Sequence, residues 1–132
     1  MVTTKKPNSV NKDTSEKDRT VFRKVERMMQ QNKVYRNSSL TLDSLANDIG
    51  VFRNMLSRAI NSCSGKNFCQ YVNTYRVAEA VKLIATKAKT GMKLPTIWKE
   101  VGFASRTPFY IAMKEICGLT PTEICSSKKN SR

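Results

Sequence analysis

Histidine is absent from the 132 residues. Its absence removes Ser-His and Cys-His nucleophile pairs, His-liganded zinc and the commonest general base together. Acidic residues are scarce, 10 Asp+Glu against 24 Lys+Arg, which leaves a net charge of +14. No apolar run approaches the roughly 18–20 residues that span a bilayer. Residues 2–20 are almost entirely polar, so no hydrophobic signal segment is expected in them. The four cysteines fall into two pairs, Cys63/Cys69 and Cys117/Cys125, separated by five and seven intervening residues. Neither spacing is the short knuckle of a structural zinc site. No metal and no cofactor is expected, and the thiols are expected free and mostly buried, as in a reducing cytoplasm. Sustained β alternation is missing too, so the chain reads as all-α.

The excess charge has a location. Residues 1–18 hold four lysines and three acids, a net +1, and residues 126–132 add +3. The segment 19–125 therefore carries 17 basic against 7 acidic residues, a net +10. A folded surface with that excess repels itself, and a polyanionic partner is the usual reason to keep it. Residues 1–18 lack a face to bury and read as a flexible polar leader. Residues 126–132 read as a basic tail.

From Arg19 a helical period begins, with Val21, Phe22, Val25, Met28 and Met29 recurring at 3.6-residue spacing. Asn37-Ser38-Ser39 break it. Beyond that the elements repeat. Leu45-Ala46-Asn47-Asp48-Ile49-Gly50-Val51 parallels Ile97-Trp98-Lys99-Glu100-Val101-Gly102-Phe103 at an offset of 52. Thr41 is an N-cap candidate before the first segment, and Pro95 opens the second. After each glycine comes another amphipathic helix, with Leu56, Ala59 and Ile60 inward in the first copy and Phe109, Met113 and Ile116 in the second. These end at Gly65 and Gly118, offset by 53. A repeat this regular implies a duplicated helix–glycine turn–helix unit. An ordinary αα-hairpin uses the same turn chemistry. Two copies in a +10 core favour helix-turn-helix units over about 41–62 and 94–117. Between them a linker helix is predicted over about 67–88, its inner face marked by Phe68, Tyr71, Val72, Tyr75, Ala78, Val81, Ile84 and Ala85. About 20 residues at 1.5 Å each span ~30 Å, close to the ~34 Å at which major-groove faces recur on one side of B-DNA.

At these residues the chain resembles the AraC/XylS-type DNA-binding domain. The first half carries Leu42-x-x-Leu45-Ala46, Gly50 and Leu56-Ser57-Arg58, followed by Phe68-x-x-Tyr71-Val72-x-x-x-Arg76-x-x-x-Ala80. The second carries Ile97-x-x-x-Val101-Gly102-Phe103-x-Ser105-x-x-x-Phe109, then Lys114, Gly118 and Thr120-Pro121. The similarity covers roughly residues 20–125 and places the domain at 19–125. It implies a seven-helix domain: two helix-turn-helix subdomains joined by a long central helix, with each second helix entering one of two successive major grooves. It also implies a bacterial, cytoplasmic, nucleoid-associated transcription regulator. Arg76 matches a family position that is more often structural.

With Leu56, Ala59 and Ile60 inward, Arg53, Asn54, Ser57, Arg58 and Asn61 share an outward face. By the same logic Arg106, Thr107, Tyr110, Ile111 and Lys114 face outward in the second unit. An arginine forks onto guanine and an asparagine suits adenine, which makes Arg58 and Arg106 the leading base readers. Ser57, Thr107 and Lys114 suit phosphate. Plain solvent exposure is the competing reading for each. Four residues depart from the family pattern. Phe52 stands where a small polar N-cap is usual, Pro108 lies in the first turn of the second recognition helix, Ile111 replaces an arginine, and Trp98 replaces a small residue.

The expected partner is double-stranded DNA, with RNA polymerase added if the protein activates transcription. Family members usually carry a sensor or dimerisation domain. The chain is therefore expected to be either a small single-domain regulator or the C-terminal piece of a larger sensor, on the cytoplasmic side if that sensor is membrane-bound. The polar leader leans towards the second. A nonspecific basic nucleic-acid-binding or architectural protein is the alternative. An enzyme is not expected: Gly65-Lys66 hints at a P-loop, but that motif needs a glycine where Ile60 stands.

Overall fold

A computed structural model describes residues 15–130, and of residues 88 and 126–130 the backbone only. Seven α-helices of two turns or more follow in order: α1 Glu16–Arg27, α2 Leu42–Ile49, α3 Arg53–Ser64, α4 Phe68–Ala85, α5 Leu94–Val101, α6 Arg106–Cys117 and α7 Pro121–Asn130. A single helical turn, Lys87–Thr90, follows α4. No strand occurs among the described residues. The all-α, seven-helix expectation holds.

Local chemistry sets most boundaries. Ser15 caps α1 by accepting the Asp18 N–H at 3.0 Å. Thr41 and Ser44 form a reciprocal capping box on α2. Asn67 and Gln70 exchange the same kind of bonds at the start of α4, and Thr120 with Glu123 at the start of α7. After α1 the chain widens into a π turn over Met28–Asn32 and stops at Lys33, whose φ of 50° is left-handed.

Packing divides the chain into two units. The first takes the residues up to Val34 together with Ser39–Val72. Val21, Val25 and Met29 of α1, Leu45 and Ala46 of α2, and Leu56, Ala59 and Ile60 of α3 are buried in it. Phe22 and Tyr71 add a tilted ring contact at 5.4 Å. The second unit takes Tyr35–Ser38 and everything from Asn73 onward. Its core holds Val77, Ala80 and Ile84 of α4, Ile97 and Val101 of α5, Phe103, and Phe109, Ala112 and Met113 of α6. Trp98 finds room on its edge with its ring 5.7 Å from that of Phe109, but its buried indole N–H has no hydrogen-bond partner.

Four expectations need correction. The leader does not extend to residue 18: the helix begins at Glu16, and Asp18 is only 3% exposed. Residues 1–14 lie outside the described residues. The basic tail is not separate, because α7 continues to Asn130 once its capping box and Pro121 have started it. The linker helix ends at Ala85, and its inner face is not one stripe. Ala78 and Ala85 are exposed, while Val77 and Ala80 are buried, because α4 supplies Tyr71 and Val72 to one core and Val77, Ala80 and Ile84 to the other. Finally, the thiols are free but not mostly buried: Cys69 and Cys117 are exposed, Cys63 and Cys125 half-buried.

Candidate nucleic-acid interface

In the first unit α2, a turn at Gly50 and α3 form the predicted helix-turn-helix. Gly50 adopts φ 86°, and its N–H reaches back to the Ala46 carbonyl at 2.9 Å, closing α2. Phe52 then takes the N-cap position of α3 with extended backbone but no side-chain cap, its ring 82% exposed. With Leu56, Ala59 and Ile60 inward, the opposite face presents Arg53, Asn54, Arg58 and Asn61 to solvent. Ser57 is half-buried at the edge of that face.

Three of these side chains already have partners. Arg53 Nε lies 3.0 Å from Asp43 Oδ1 of α2. Asn61 Nδ2 donates to the Ser57 carbonyl at 2.9 Å. Arg58 Nε donates to Asp18 Oδ1 of α1 at 3.2 Å. Burial pushes the Cys63 thiol up, against a smaller opposing pull from the Ser62 hydroxyl.

The second unit repeats the arrangement with α5, Gly102 and α6. Gly102 has φ 112°, and a Cβ there would run into the Tyr35 carbonyl oxygen. Arg76 holds the same strand of backbone, donating Nε to the Tyr35 carbonyl at 2.7 Å and Nη2 to the Asn37 carbonyl at 3.0 Å. Its guanidinium lies 5.7 Å from the centre of the Phe103 ring. Arg76 is thus structural, as its family position implies. Beside it, Glu79 accepts from the Tyr35 hydroxyl at 2.7 Å and from both Nε and Nη2 of Arg36. Burial, helped by that carboxylate, pushes the Tyr35 phenol up to about 12.

On α6 the outward face differs from the expectation in detail. Ser105 is the N-cap residue yet makes no side-chain cap bond. The third helical residue is Pro108, which has no N–H to give, so only the Thr107 N–H is left as a donor for such a bond. Arg106 is exposed and stacks its guanidinium over the Tyr110 ring at 4.1 Å. Thr107 and Ile111 are exposed, Ile111 by 53%. Tyr110 is not an open outward residue. It is half-buried, edge-on to Phe109 at 5.8 Å, with its hydroxyl 3.1 Å from Thr122 Oγ1 of α7. Lys114 Nζ sits 3.8 Å from Glu123 Oε1. The Thr120 N–H, and then Lys114, hold the Glu123 carboxyl below its ordinary value. Ile116, expected inward, is 43% exposed in the last turn of α6, before Gly118 closes the helix in a left-handed conformation.

The residues missed from sequence are acidic: Asp18, Asp43, Glu79 and Glu123. A capping signature precedes two of them, Ser15-x-x-Asp18 and Thr120-x-x-Glu123, and marks their place if not their partners.

Charge is unequal between the units. From Ser15 the first holds 9 basic and 5 acidic residues, whereas the second holds 12 and 4, so the second exerts the stronger pull on a polyanion. Among the described residues no helix is long and apolar enough to cross a membrane, and no cluster of His, Cys, Asp or Glu is placed to hold a metal ion.

A family model described as a helix-turn-helix domain matches residues 45–126. Among solved structures, the C-terminal domain of AraT, a response regulator from Geobacillus stearothermophilus, superposes with a TM-score of 0.69 at 24% identity, covering 87% of this chain and 88% of that one. The C-terminal domain of the two-component response regulator yesN from Fusobacterium nucleatum gives 0.65 at 23% identity, covering 84% and 99%. A transcriptional regulator from Chromobacterium violaceum, described as an AraC-type DNA-binding domain-containing protein, gives 0.63 at 19% identity with the same coverage, 84% and 99%. No curated protein matches.

Proposed function

The chain belongs to the AraC-type helix-turn-helix family, and from that premise we propose that it reads specific double-stranded DNA sequences through α3 and α6, each in a major groove, as a transcription regulator or the output part of one. The observation that carries this reading is the duplicated turn-and-helix unit: both second helices bury one apolar triad and turn a polar, arginine-bearing face to solvent, with Arg53 and Arg58 on α3 and Arg106 on α6.

The chemistry assigns roles along each face. Arg58 and Arg106 are the base readers, each suited to fork onto guanine O6 and N7. Asn54 is placed for adenine on α3. Arg53, Ser57, Asn61, Thr107 and Lys114 take phosphates and so fix register without reading sequence. Ile111 offers an apolar contact to a thymine methyl where a charge is absent. Tyr110 acts beneath Arg106, its ring supporting the guanidinium. Such a regulator works on chromosomal DNA in the cytoplasm, with RNA polymerase as the further partner of an activator and a sensor domain as the source of control.

Selection of binding sites from a random DNA pool tests the reading. Two short half-sites about one helical turn apart are expected. Arg58→Ala and Arg106→Ala should each relax one base position and weaken the selected site by about 1–3 kcal/mol. An unenriched pool, bound with a steep salt dependence, would instead identify a nonspecific basic protein.

A further inference from the structure

We infer that Asp18 is a positioning residue for Arg58, holding its guanidinium ready to meet a base. The inference rests on the reading of Arg58 as a base reader.

Asp18 sits on the apolar stripe of α1, three residues before Val21 and seven before Val25, where an apolar side chain would serve packing alone. Its side chain is only 4% exposed, while that of Arg58 is 61% exposed. Burying a carboxylate is unfavourable, and a hydrophobic residue in its place is often neutral or stabilising. Packing therefore does not account for an acid at this position.

The geometry does. Asp18 Oδ1 accepts from Nε, the inner nitrogen of Arg58, at 3.2 Å. The guanidinium is planar, so a bond at Nε fixes its plane and leaves the outer Nη1–Nη2 edge as the fork a guanine needs. Ser62, one turn further along α3, has its hydroxyl 3.3 Å from Oδ2 and 2.8 Å from the Arg58 carbonyl, so its one proton is shared between the carboxylate and its own helix. The backbone that carries Asp18 is fixed as well, its N–H donating to the Ser15 hydroxyl at the cap of α1. An arginine ordered before binding loses less side-chain freedom on contact with DNA.

The expected sign is opposite to that of simple electrostatics. Removing a negative charge from a DNA-facing unit ordinarily strengthens binding to any duplex. Here Asp18→Asn should weaken the selected duplex by about tenfold, the lower part of the range for a lost bidentate contact. Discrimination should fall at the base pair that Arg58 reads and hold at the others, with nonspecific duplex bound as well as before or better.

The test titrates the full chain and its Asp18→Asn, Asp18→Leu, Arg58→Ala and Asp18→Asn/Arg58→Ala variants. The ligands are the selected duplex, single-base-pair variants of the α3 half-site, and a nonspecific duplex, with thermal melts alongside. Asp18→Leu fills the apolar stripe and keeps the test open if the Asn variant fails to fold. Loss of discrimination at one position in either Asp18 variant, with no further loss in the double variant, supports the inference. Unchanged discrimination in a folded Asp18 variant, or tighter binding to every duplex, overturns it while the reading of Arg58 stands. If Arg58→Ala itself leaves discrimination intact, that reading falls and the inference with it.

Discussion

Gly102 lies so close to the backbone of Tyr35 that a Cβ would overlap the Tyr35 carbonyl oxygen and stand 2.8 Å from Arg76 Nε. Gly50, its counterpart in the first helix-turn-helix, has open space where its Cβ would be. Both adopt positive φ, 86° at Gly50 and 112° at Gly102, so the same residue type answers two different demands. Gly50→Ala should cost about 1–2 kcal/mol, the strain of a left-handed residue. Gly102→Ala must meet that strain and also displace backbone held by Arg76, so its loss should be larger. Thermal melts of the two variants check the order, and equal shifts would show that the Tyr35 contact yields freely.

The polar cluster beside that turn makes stability depend on alkaline pH. Burial, and the hydrogen bond to Glu79, raise Tyr35 from an ordinary 10.0 to about 12, so the folded state binds the phenolic proton more tightly than the unfolded chain. The stabilisation is fully present below the unfolded value and is lost as pH rises through the folded one. Unfolding free energy should therefore fall between pH 10.0 and about 12. In Tyr35→Phe this part of the dependence should disappear. Denaturant titrations across that range, followed alongside tyrosinate absorbance, supply the measurement.

Phe52 is the reverse case, a residue whose replacement should help the fold. Its backbone is already extended, with φ −74° and ψ 149°, as an N-cap requires, yet the phenyl ring cannot accept from the first turn of α3. Phe52→Ser should add about 1 kcal/mol of stability, and Phe52→Ala should not, since alanine offers no acceptor. A melt in which both variants behave alike would mean that the cap bond fails to form.

How far the sequence speaks depends on the range of the interaction. The repeat, the turn glycines Gly50 and Gly102, and the buried triad Leu56, Ala59 and Ile60 were all legible because helical period and glycine chemistry are local. Asp18 was not. The Ser15-x-x-Asp18 signature marks a helix start there, but the burial of the carboxylate and its partner, 40 residues away on α3, are not local. Tyr110 failed for a similar reason, since its hydroxyl partner Thr122 belongs to the next helix. Ala78 and Ala85 show a third limit. Periodicity assumes one buried face, and α4 supplies residues to two cores.

Ile111 separates charge from shape at the second recognition helix. It is an exposed isoleucine on α6, one residue beyond the Tyr110 that supports Arg106. Ile111→Arg restores the residue that the AraC/XylS resemblance leads one to expect at this position. If that arginine reaches a phosphate, binding to all duplexes should strengthen and the slope of log K against log salt should steepen by about 0.9. Ile111→Ala should act differently, leaving the salt slope unchanged and lowering preference at a thymine in the α6 half-site, because only the methyl contact is lost. Titrations at several salt concentrations distinguish the two. An alanine variant that keeps full preference at every position would remove Ile111 from the reading face and leave it as exposed surface beside Arg106.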